Sequence, residues 1–356
     1  MIGRGLDQVM PWSVDPRLHE PYVQSARTYV ELAERVNGPI PRAVPPAYVW
    51  GDALAELERR APDARVVNLE TALTADGEPS REKEIHYRSH PRNVASLEAG
   101  GVDVAVLANN HMLDWGVAGL HKTLATLNAA GIASVGAGAD AAAAQAPAVV
   151  EAPGGRIIVV GLASTSSGVP ASWRAAEDRP GVRLVDGWPL AVARELADRI
   201  APVRRDGDIV VASVHWGSNW GYEVPAAQRA LAHELIEVAG ADLVHGHSSH
   251  HPRPIEIYRD RLILHGCGDF ITDYEGITGH EAFRGDLSLA YFPVLETSGR
   301  LERLTIVPFQ VRRFQLVRGT GADVAWLRET LDRYSRPFGV EVSREADDTL
   351  EVARTG

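Results

Sequence analysis

Polar residues that can bind a metal or transfer a proton follow directly after five short apolar segments of the sequence. They are Asn68-Leu69-Glu70-Thr71, Asn109-Asn110-His111, His215-Trp216-Gly217, His245-Gly246-His247-Ser248-Ser249-His250-His251 and His265-Gly266-Cys267-Gly268-Asp269. Parallel strands of one sheet place their carboxyl ends along a common edge, where open α/β sheets bind ligands. We therefore expect these segments to bring carboxylate, amide and imidazole groups into one crevice.

These residue types suit a divalent metal of hard or borderline character. Carboxylate oxygen, amide oxygen and imidazole nitrogen can bind Mn, Fe, Zn or Mg, and two such ions about 3.5–4 Å apart can activate water. Glu70 would supply a carboxylate able to bridge two ions, and Asn110 would supply an amide oxygen. The imidazole ligands would be His215, His247 and His250. The predicted cofactor is thus a divalent ion or a dinuclear pair.

His111 is the candidate for proton transfer, because it lies beside Asn110 without being needed as a ligand. Asp114 can orient His111 by accepting a hydrogen bond from its other ring nitrogen. Arg88 is a candidate to hold a substrate anion through two hydrogen bonds. Aromatic candidates for the pocket wall are Trp216, Trp220 and Tyr222. Cys267 is a single thiol between glycines and is given no role.

Each of these residues also has a purely structural interpretation. A lone histidine after a strand, such as His215, is usually a satisfied core residue. Glu70 could cap a helix, and Asn109-Asn110-His111 could form a tight turn, since asparagine tolerates left-handed geometry. Arg88 could equally form a surface ion pair, and the aromatic residues could simply pack. Four histidines between positions 245 and 251 weaken the structural interpretation there.

Alternating apolar strands and amphipathic helices must position these side chains. The expected strands are 65–69, 103–108, 132–135, 156–163, 208–215, 242–245 and 261–265, with an antiparallel pair at 287–296 and 301–310. The expected helices are 26–36, 53–60, 89–99, 117–130, 189–200, 225–239 and 324–334. This alternation predicts an α/β fold, and the late strands predict mixed sheets. We expect one domain over residues 1–320, with residues 321–356 as a terminal helix and tail.

Composition excludes several classes of protein. The 356 residues are 45% hydrophobic and 23% charged, which is typical of a globular protein. No uncharged apolar run reaches 18 residues, and no signal peptide is visible, so a cytoplasmic location is expected. The net charge of -11 argues against a nucleic-acid partner. The single cysteine excludes an internal disulfide framework.

The sequence resembles the CapA family of poly-γ-glutamate capsule biosynthesis proteins, within the calcineurin-like metallophosphatase superfamily. The matching segments span roughly residues 1 to 310 and are Met1–Arg4, Asn68–Glu70, Ala108–His111 with Asp114 and Gly116, Gly136–Gly138, His215–Gly217, Gly240–Asp242, Gly246-His247 with His250, Pro254–Glu256 and Gly268–Phe270. The resemblance implies two mixed β-sheets packed face to face and flanked by helices. It also implies that Asn110, His215, His247 and His250 are metal ligands, that Glu70 takes the place of a bridging carboxylate and that His111 is catalytic.

Two departures from the family pattern affect the predicted site. Superfamily members open with a strand ending in Gly-Asp, and this sequence begins after it. Either the start is assigned late, which we favour because residues 1–5 resemble a loop, or the sheet has lost a strand and one metal ligand. Ser248-Ser249 stand where relatives often carry His-Pro, which can reshape the pocket.

Three functions remain open at this stage. The first is a metal-dependent hydrolase, in which activated water attacks a phosphoester or amide-like centre and His111 protonates the leaving group. The second is a metal-free acid/base enzyme that epimerises a peptide, as a relative in lasso-peptide biosynthesis does. The third is a non-catalytic binding or assembly protein for polyglutamate. The expected partner is therefore a small molecule, a peptide or polyglutamate.

Overall fold

The computed structural model describes residues 1–355, which form nine α-helices and eighteen β-strands. The helices are α1 (Gly5–Val9), α2 (Arg27–Asn37), α3 (Ala53–Arg60), α4 (Ala95–Ala99), α5 (Gly116–Ala129), α6 (Ala141–Gln145), α7 (Pro189–Ile200), α8 (Ala226–Glu237) and α9 (Ala322–Ser335). The first nine strands are β1 (Val66–Asn68), β2 (Ala72–Leu73), β3 (Arg88–Ser89), β4 (Val104–Val106), β5 (Ala133–Val135), β6 (Ala137–Gly138), β7 (Ala148–Ala152), β8 (Gly155–Ala163) and β9 (Gly181–Val182). The others are β10 (Ile209–His215), β11 (Leu243–His247), β12 (Ile255–Tyr258), β13 (Arg261–Leu264), β14 (Leu287–Leu295), β15 (Leu301–Arg312), β16 (Gln315–Arg318), β17 (Val340–Arg344) and β18 (Leu350–Arg354). The predicted α/β fold class is confirmed.

A six-stranded mixed sheet forms the centre of the molecule, in the order β12-β13-β11-β10-β8-β7. Strands β8, β10, β11 and β13 run parallel, and the edge strands β7 and β12 are antiparallel to their neighbours. Because β10 and β11 are parallel and in register, His215 lies directly opposite His247 at their carboxyl ends.

Alternate residues of the central strands face two different hydrophobic layers. In β8, Ile158, Val160 and Leu162 pack with helices α7 and α8, and Val159 and Ala163 face the other way. That second layer is shared with a parallel sheet β1-β4-β5 and with an antiparallel sheet built from β14 to β18. Because both faces of the sheet are buried, the sequences of the central strands are continuous apolar runs and do not alternate between apolar and polar residues.

The predicted helix over residues 89–99 is wrong in its first half. The segment begins with β3, continues as a 3₁₀-helix over Pro91–Val94 and becomes helical only at α4. Pro91 disfavours helical geometry at His90 and has no N–H to donate, so a single helix cannot run through this point.

Residues 321–355 pack onto the rest of the fold through a helix and two strands. Helix α9 covers the predicted 324–334 segment, and β17 and β18 form a hairpin behind it. Strand β18 pairs with β15 through Thr305 opposite Glu351 and Ile306 opposite Leu350. No helix among residues 1–355 is long and apolar enough to cross a membrane.

Glu256 on β12 ties helix α8 to the central sheet. Its buried carboxylate accepts hydrogen bonds from Arg229 Nη2 at 2.7 Å, His233 Nε2 at 2.9 Å and His265 Nε2 at 3.0 Å. Burial alone would raise the pKa of Glu256, but the hydrogen bonds from His265, Arg229 and His233 outweigh it and lower the pKa to about 2.

This carboxylate should make stability depend on acid pH. A lowered carboxyl pKa adds stability that is fully present above the unfolded pKa of about 4.3 and is lost as the pH falls through about 2. Between pH 5 and pH 3, the wild type is expected to lose about 1–2 kcal/mol more unfolding free energy than Glu256→Gln. Urea titrations at both pH values measure this difference. The exposed Glu58→Gln is the matched control, and equal pH slopes for wild type and Glu256→Gln would refute the assignment.

Candidate active site

Asn109 links the loops that follow β1 and β4. Its Nδ2 donates to Asn68 Oδ1 and to the Leu69 carbonyl, both at 3.0 Å, and its Oδ1 accepts from the His111 N–H at 3.1 Å. Because β1 and β4 are parallel neighbours, this fully buried side chain fixes Glu70 and His111 relative to each other.

His111 and Asp114 form a buried hydrogen-bonded pair. His111 Nδ1 lies 2.6 Å from Asp114 Oδ2, and the Tyr87 ring stacks on the imidazole at 3.9 Å between centroids. Burial lowers the pKa of His111 well below its usual value, so the imidazole is neutral near pH 7. Its other nitrogen, Nε2, lies 3.9 Å from Glu70 Oε1 and is available to exchange a proton.

Three electron-pair donors face one another beside this pair. Asn110 Oδ1 lies 3.1 Å from His215 Nε2 and 3.1 Å from Glu70 Oε1, and the last two atoms are 4.0 Å apart. In this orientation, the Asn110 nitrogen faces Lys83 Nζ at 3.1 Å. Turning the amide over would let its nitrogen donate to Glu70 and His215 and its oxygen accept from Lys83.

A chain of buried polar groups contacts His215 at Nδ1, the ring nitrogen that points away from Asn110. His215 Nδ1 lies 2.9 Å from His247 Nδ1, His247 Nε2 lies 3.0 Å from Ser213 Oγ, and that hydroxyl lies 2.9 Å from His245 Nδ1. Burial lowers the pKa of His215 and of His245 to about 4 and that of His247 well below its usual value. If His215 Nδ1–H donates to His247, Nε2 of His215 keeps a lone pair for the site.

His250 pairs with a carboxylate that sequence reasoning had not assigned. Its Nδ1 lies 3.0 Å from Asp269 Oδ2, and Tyr274 and Trp220 border its ring. Burial would lower the pKa of His250, but the charge and hydrogen bond of Asp269 outweigh it and raise the pKa. His250 therefore differs from His111, whose pKa is lowered.

A cavity of about 790 Å³ reaches part of this group of residues, and Lys83 and Asn110 lie outside its lining. One end is lined by Glu70, His247, His250 and Asp269, and Tyr87 and Tyr274 border it. The cavity continues between β1 and β14, whose outer edges have no strand neighbour among residues 1–355. His111 and His215 do not line the cavity but lie within 4.0 Å of Glu70.

Glu70, Asn110 and His215 fit a single divalent cation. Two ligands of one first-row ion at roughly 2.1 Å can be at most about 4.2 Å apart, and the three atoms meet this limit. Within residues 1–355, no three His, Cys, Asp or Glu side chains are arranged to hold a metal, so the Asn110 oxygen is needed to complete the set. An amide oxygen aimed at two other acceptors is the arrangement a cation would stabilise.

The structure brings the predicted ligands only partly together. Glu70, Asn110 and His215 converge, whereas His247 contacts the opposite nitrogen of His215 and His250 contacts Asp269. His247 is thus positioned to orient His215, as the outer hydrogen-bond partners of metal-binding histidines do.

The predicted substrate-binding residues lie outside the cavity lining. Arg88 stacks over the Trp115 ring at 3.6 Å, and Trp216 is buried with its Nε1 donating to the His265 carbonyl. Trp220 stacks on His280 at 3.9 Å, and Tyr222 stacks on Tyr334 at 4.0 Å. Trp216 donates its backbone N–H to the His247 carbonyl at 3.1 Å, and the Trp220 ring lies 5.5 Å from that of His250.

Sequence reasoning gave no individual role to Lys83, Tyr87, Asp269 or Tyr274. Asp269 follows β13 in the same way that the predicted residues follow their strands, so a usable signal was present. Tyr87 and Tyr274 share a hydroxyl–hydroxyl hydrogen bond of 2.5 Å between His111 and His250. Lys83 lies on a loop without periodicity, and nothing in the pattern marked it.

A layered α/β fold that gathers carboxylate, amide and imidazole groups at the carboxyl ends of its strands is consistent with the metallophosphatase-like fold that the CapA resemblance implies. Residues 1–274 match the model of the family described as bacterial capsule synthesis protein PGA_cap. The chain belongs to this family, and the predicted CapA relationship is confirmed.

Three relatives illustrate the range of similarity. A probable polyglutamine synthesis accessory protein of Mycobacterium tuberculosis is 51% identical over 355 residues, covering 99% of this chain and 93% of the relative. The PGA biosynthesis protein CapA of Bacillus subtilis is 30% identical over 216 residues, covering 60% of this chain and 54% of the relative. The capsule biosynthesis protein CapA of Bacillus anthracis is 27% identical over 192 residues, covering 54% and 45%.

Proposed function

We propose that this protein is a metal-dependent hydrolase of a phosphoester or amide bond in the metabolism of a capsule-type or polyglutamate-type polymer. The observation that carries the proposal is the convergence of Glu70 Oε1, Asn110 Oδ1 and His215 Nε2 beside His111, next to a large cavity. A divalent cation held by these three side chains would supply Lewis acidity, which polarises the scissile bond and acidifies water.

The chain's own residues would then handle the proton. The lowered pKa keeps His111 neutral at pH 7. In the tautomer whose Nδ1–H donates to Asp114, Nε2 is the atom that can accept a proton from the attacking water. The same Nε2–H can afterwards protonate the departing oxygen or nitrogen. Because the resting imidazole is neutral, it must take a proton before it can give one.

The cavity and the relatives' names support a polymeric or peptide substrate. A volume of about 790 Å³ is large enough for several residues of an extended chain. Relatives are named for polyglutamine synthesis and for PGA biosynthesis, and such polymers are joined by amide bonds. An amide bond is therefore the first linkage to test, with a phosphoester as the second.

The proposal is tested with purified protein stripped by a chelator and reloaded separately with Mn, Fe, Zn or Mg. A γ-glutamyl anilide and a nitrophenyl phosphodiester serve as chromogenic substrates for the two linkages. Turnover of at least one substrate that requires the added ion supports the proposal. The absence of turnover with every ion, or turnover that the chelator leaves unchanged, would overturn it.

The two separate His–Asp pairs, His111–Asp114 and His250–Asp269, favour one alternative function. Epimerisation of a peptide Cα needs one group to remove a proton and another to return it, and the two imidazoles have pKa values shifted in opposite directions. Incubating metal-free protein with a peptide in deuterated water tests this function. Deuterium at a Cα would support epimerisation, and no incorporation would eliminate it.

A further inference from the structure

Lys83 is held in place beside the candidate site by its loop. The segment between β2 and β3 is tied to Asp114 at two points, since Ser80 N donates to the Asp114 carbonyl at 2.8 Å and Tyr87 N donates to Asp114 Oδ2 at 2.6 Å. Glu82 fixes the loop further by accepting from Ser172 Oγ at 2.7 Å. The position of Lys83 is thus set by Asp114, the same residue whose carboxylate lies against His111 Nδ1.

The Lys83 ammonium has no carboxylate partner of its own. Within residues 1–355, no Asp or Glu oxygen lies within the 4.0 Å limit of an ion pair with Nζ. Its polar neighbour is the Asn110 amide at 3.1 Å, and the Trp173 ring centroid lies 6.0 Å away. Burial lowers the pKa of Lys83, opposed by the nearby charges of Asp114 and Glu70. A half-buried cation with free donors is suited to receive an anion.

The Asn110 amide can adopt two orientations with opposite requirements. When the amide oxygen faces Glu70 and His215, an acceptor lies against two other acceptors. The amide nitrogen then faces the Lys83 ammonium, so two donors also lie against each other. A cation among the acceptors and an anion against the donors would both stabilise that orientation. With the amide turned over, every group is satisfied internally, and neither ligand is required.

We infer that Lys83 Nζ and Asn110 Nδ2 together bind an anionic oxygen of the substrate, a phosphoryl or carboxylate oxygen, and that this binding is coupled to cation binding through the orientation of the Asn110 amide. The inference deepens the proposed function and rests on its cation site at Glu70, Asn110 and His215. It makes Lys83 a substrate-binding residue and makes substrate and metal bind cooperatively.

Isothermal titration of inorganic phosphate and of glutarate into the full chain, with and without saturating Mn²⁺, tests the inference. Lys83→Met is expected to weaken binding of the preferred anion roughly 10–100-fold, because one charged hydrogen-bond donor is lost. Mn²⁺ is expected to tighten anion binding of the wild type roughly 5–150-fold. A stronger response to phosphate identifies a phosphoryl group as the natural ligand, and a stronger response to glutarate identifies a carboxylate.

Three further variants separate this role from general damage. Lys122 is the other lysine of the chain and is exposed on α5, so Lys122→Met should leave anion binding unchanged. Lys83→Arg should keep most of the affinity, because the charge remains. Asn110→Asp keeps an oxygen for the cation but removes the amide donor, so Mn²⁺ should still bind while its enhancement of anion binding falls.

Anion affinity equal to wild type in a folded Lys83→Met protein, or an equal loss in Lys122→Met, would overturn the inference. Its failure is distinguishable from failure of the proposed function. Lys83-dependent anion binding without any hydrolysis would remove the hydrolase proposal alone. Metal-dependent hydrolysis together with an anion affinity that Lys83→Met leaves unchanged would overturn this inference alone.

Discussion

Replacing His111 with alanine is expected to lower kcat for hydrolysis by roughly 10²–10⁴-fold, the usual contribution of a positioned acid–base group. His111 Nε2 is the only proposed proton carrier beside Glu70, and Asp114 holds the ring so that this nitrogen faces the site. The Michaelis constant should change little, because the imidazole is not proposed to bind the ground-state substrate. Steady-state kinetics with the chromogenic substrates measure both constants.

His121→Ala, on the exposed face of α5, is the matched control and should retain wild-type kinetics. Because the His111 ring packs under Tyr87, a melting curve must show that His111→Ala is folded. Added imidazole should partly restore kcat in the alanine variant. A folded variant with unchanged kcat would exclude His111 from catalysis and favour a binding or assembly role for the protein.

Replacing Glu70 with glutamine should weaken Mn²⁺ binding by roughly 10³-fold. Glu70 carries the one formal negative charge among the three proposed ligands, and one unit-charge interaction at about 4 Å contributes about 4 kcal/mol at an effective dielectric constant of 20. The glutamine side chain has the same shape, so the cavity and the Asn68 contact should be kept. Titration of Mn²⁺ followed by electron paramagnetic resonance gives the dissociation constant.

The exposed Glu84→Gln, on the loop that carries Lys83, controls for the loss of one negative charge near the site. It should reduce Mn²⁺ affinity by less than about threefold, because solvent screens an exposed charge. Equal affinities for wild type and Glu70→Gln would place any bound ion elsewhere in the protein.

The strands were predictable because burial on both faces forces apolar runs. The prediction that the five polar segments end strands of one sheet was wrong, because β1 and β4 belong to a separate three-stranded sheet beside the central one. The parallel register of β10 and β11 places His215 opposite His247. The segment after β4 was likewise recognisable from its position directly after a buried strand.

Side-chain directions at the same edge were not predictable. His247 turns to the far nitrogen of His215 because Ser213 engages its other nitrogen, and His250 turns to Asp269. These choices depend on neighbouring strands that the periodicity of a single segment does not describe. Arg88 lies against Trp115 for the same reason, since stacking on an aromatic face competes with any contact in the cavity.

Anomalous X-ray diffraction at the manganese edge, on crystals of this chain soaked in Mn²⁺, is the most direct measurement of the proposed site. The expected result is a manganese peak within coordination distance of Glu70 Oε1, Asn110 Oδ1 and His215 Nε2, with the Asn110 nitrogen turned towards Lys83. A saturating soak that leaves these three atoms without manganese, or that places the ion on other side chains, would contradict the proposal.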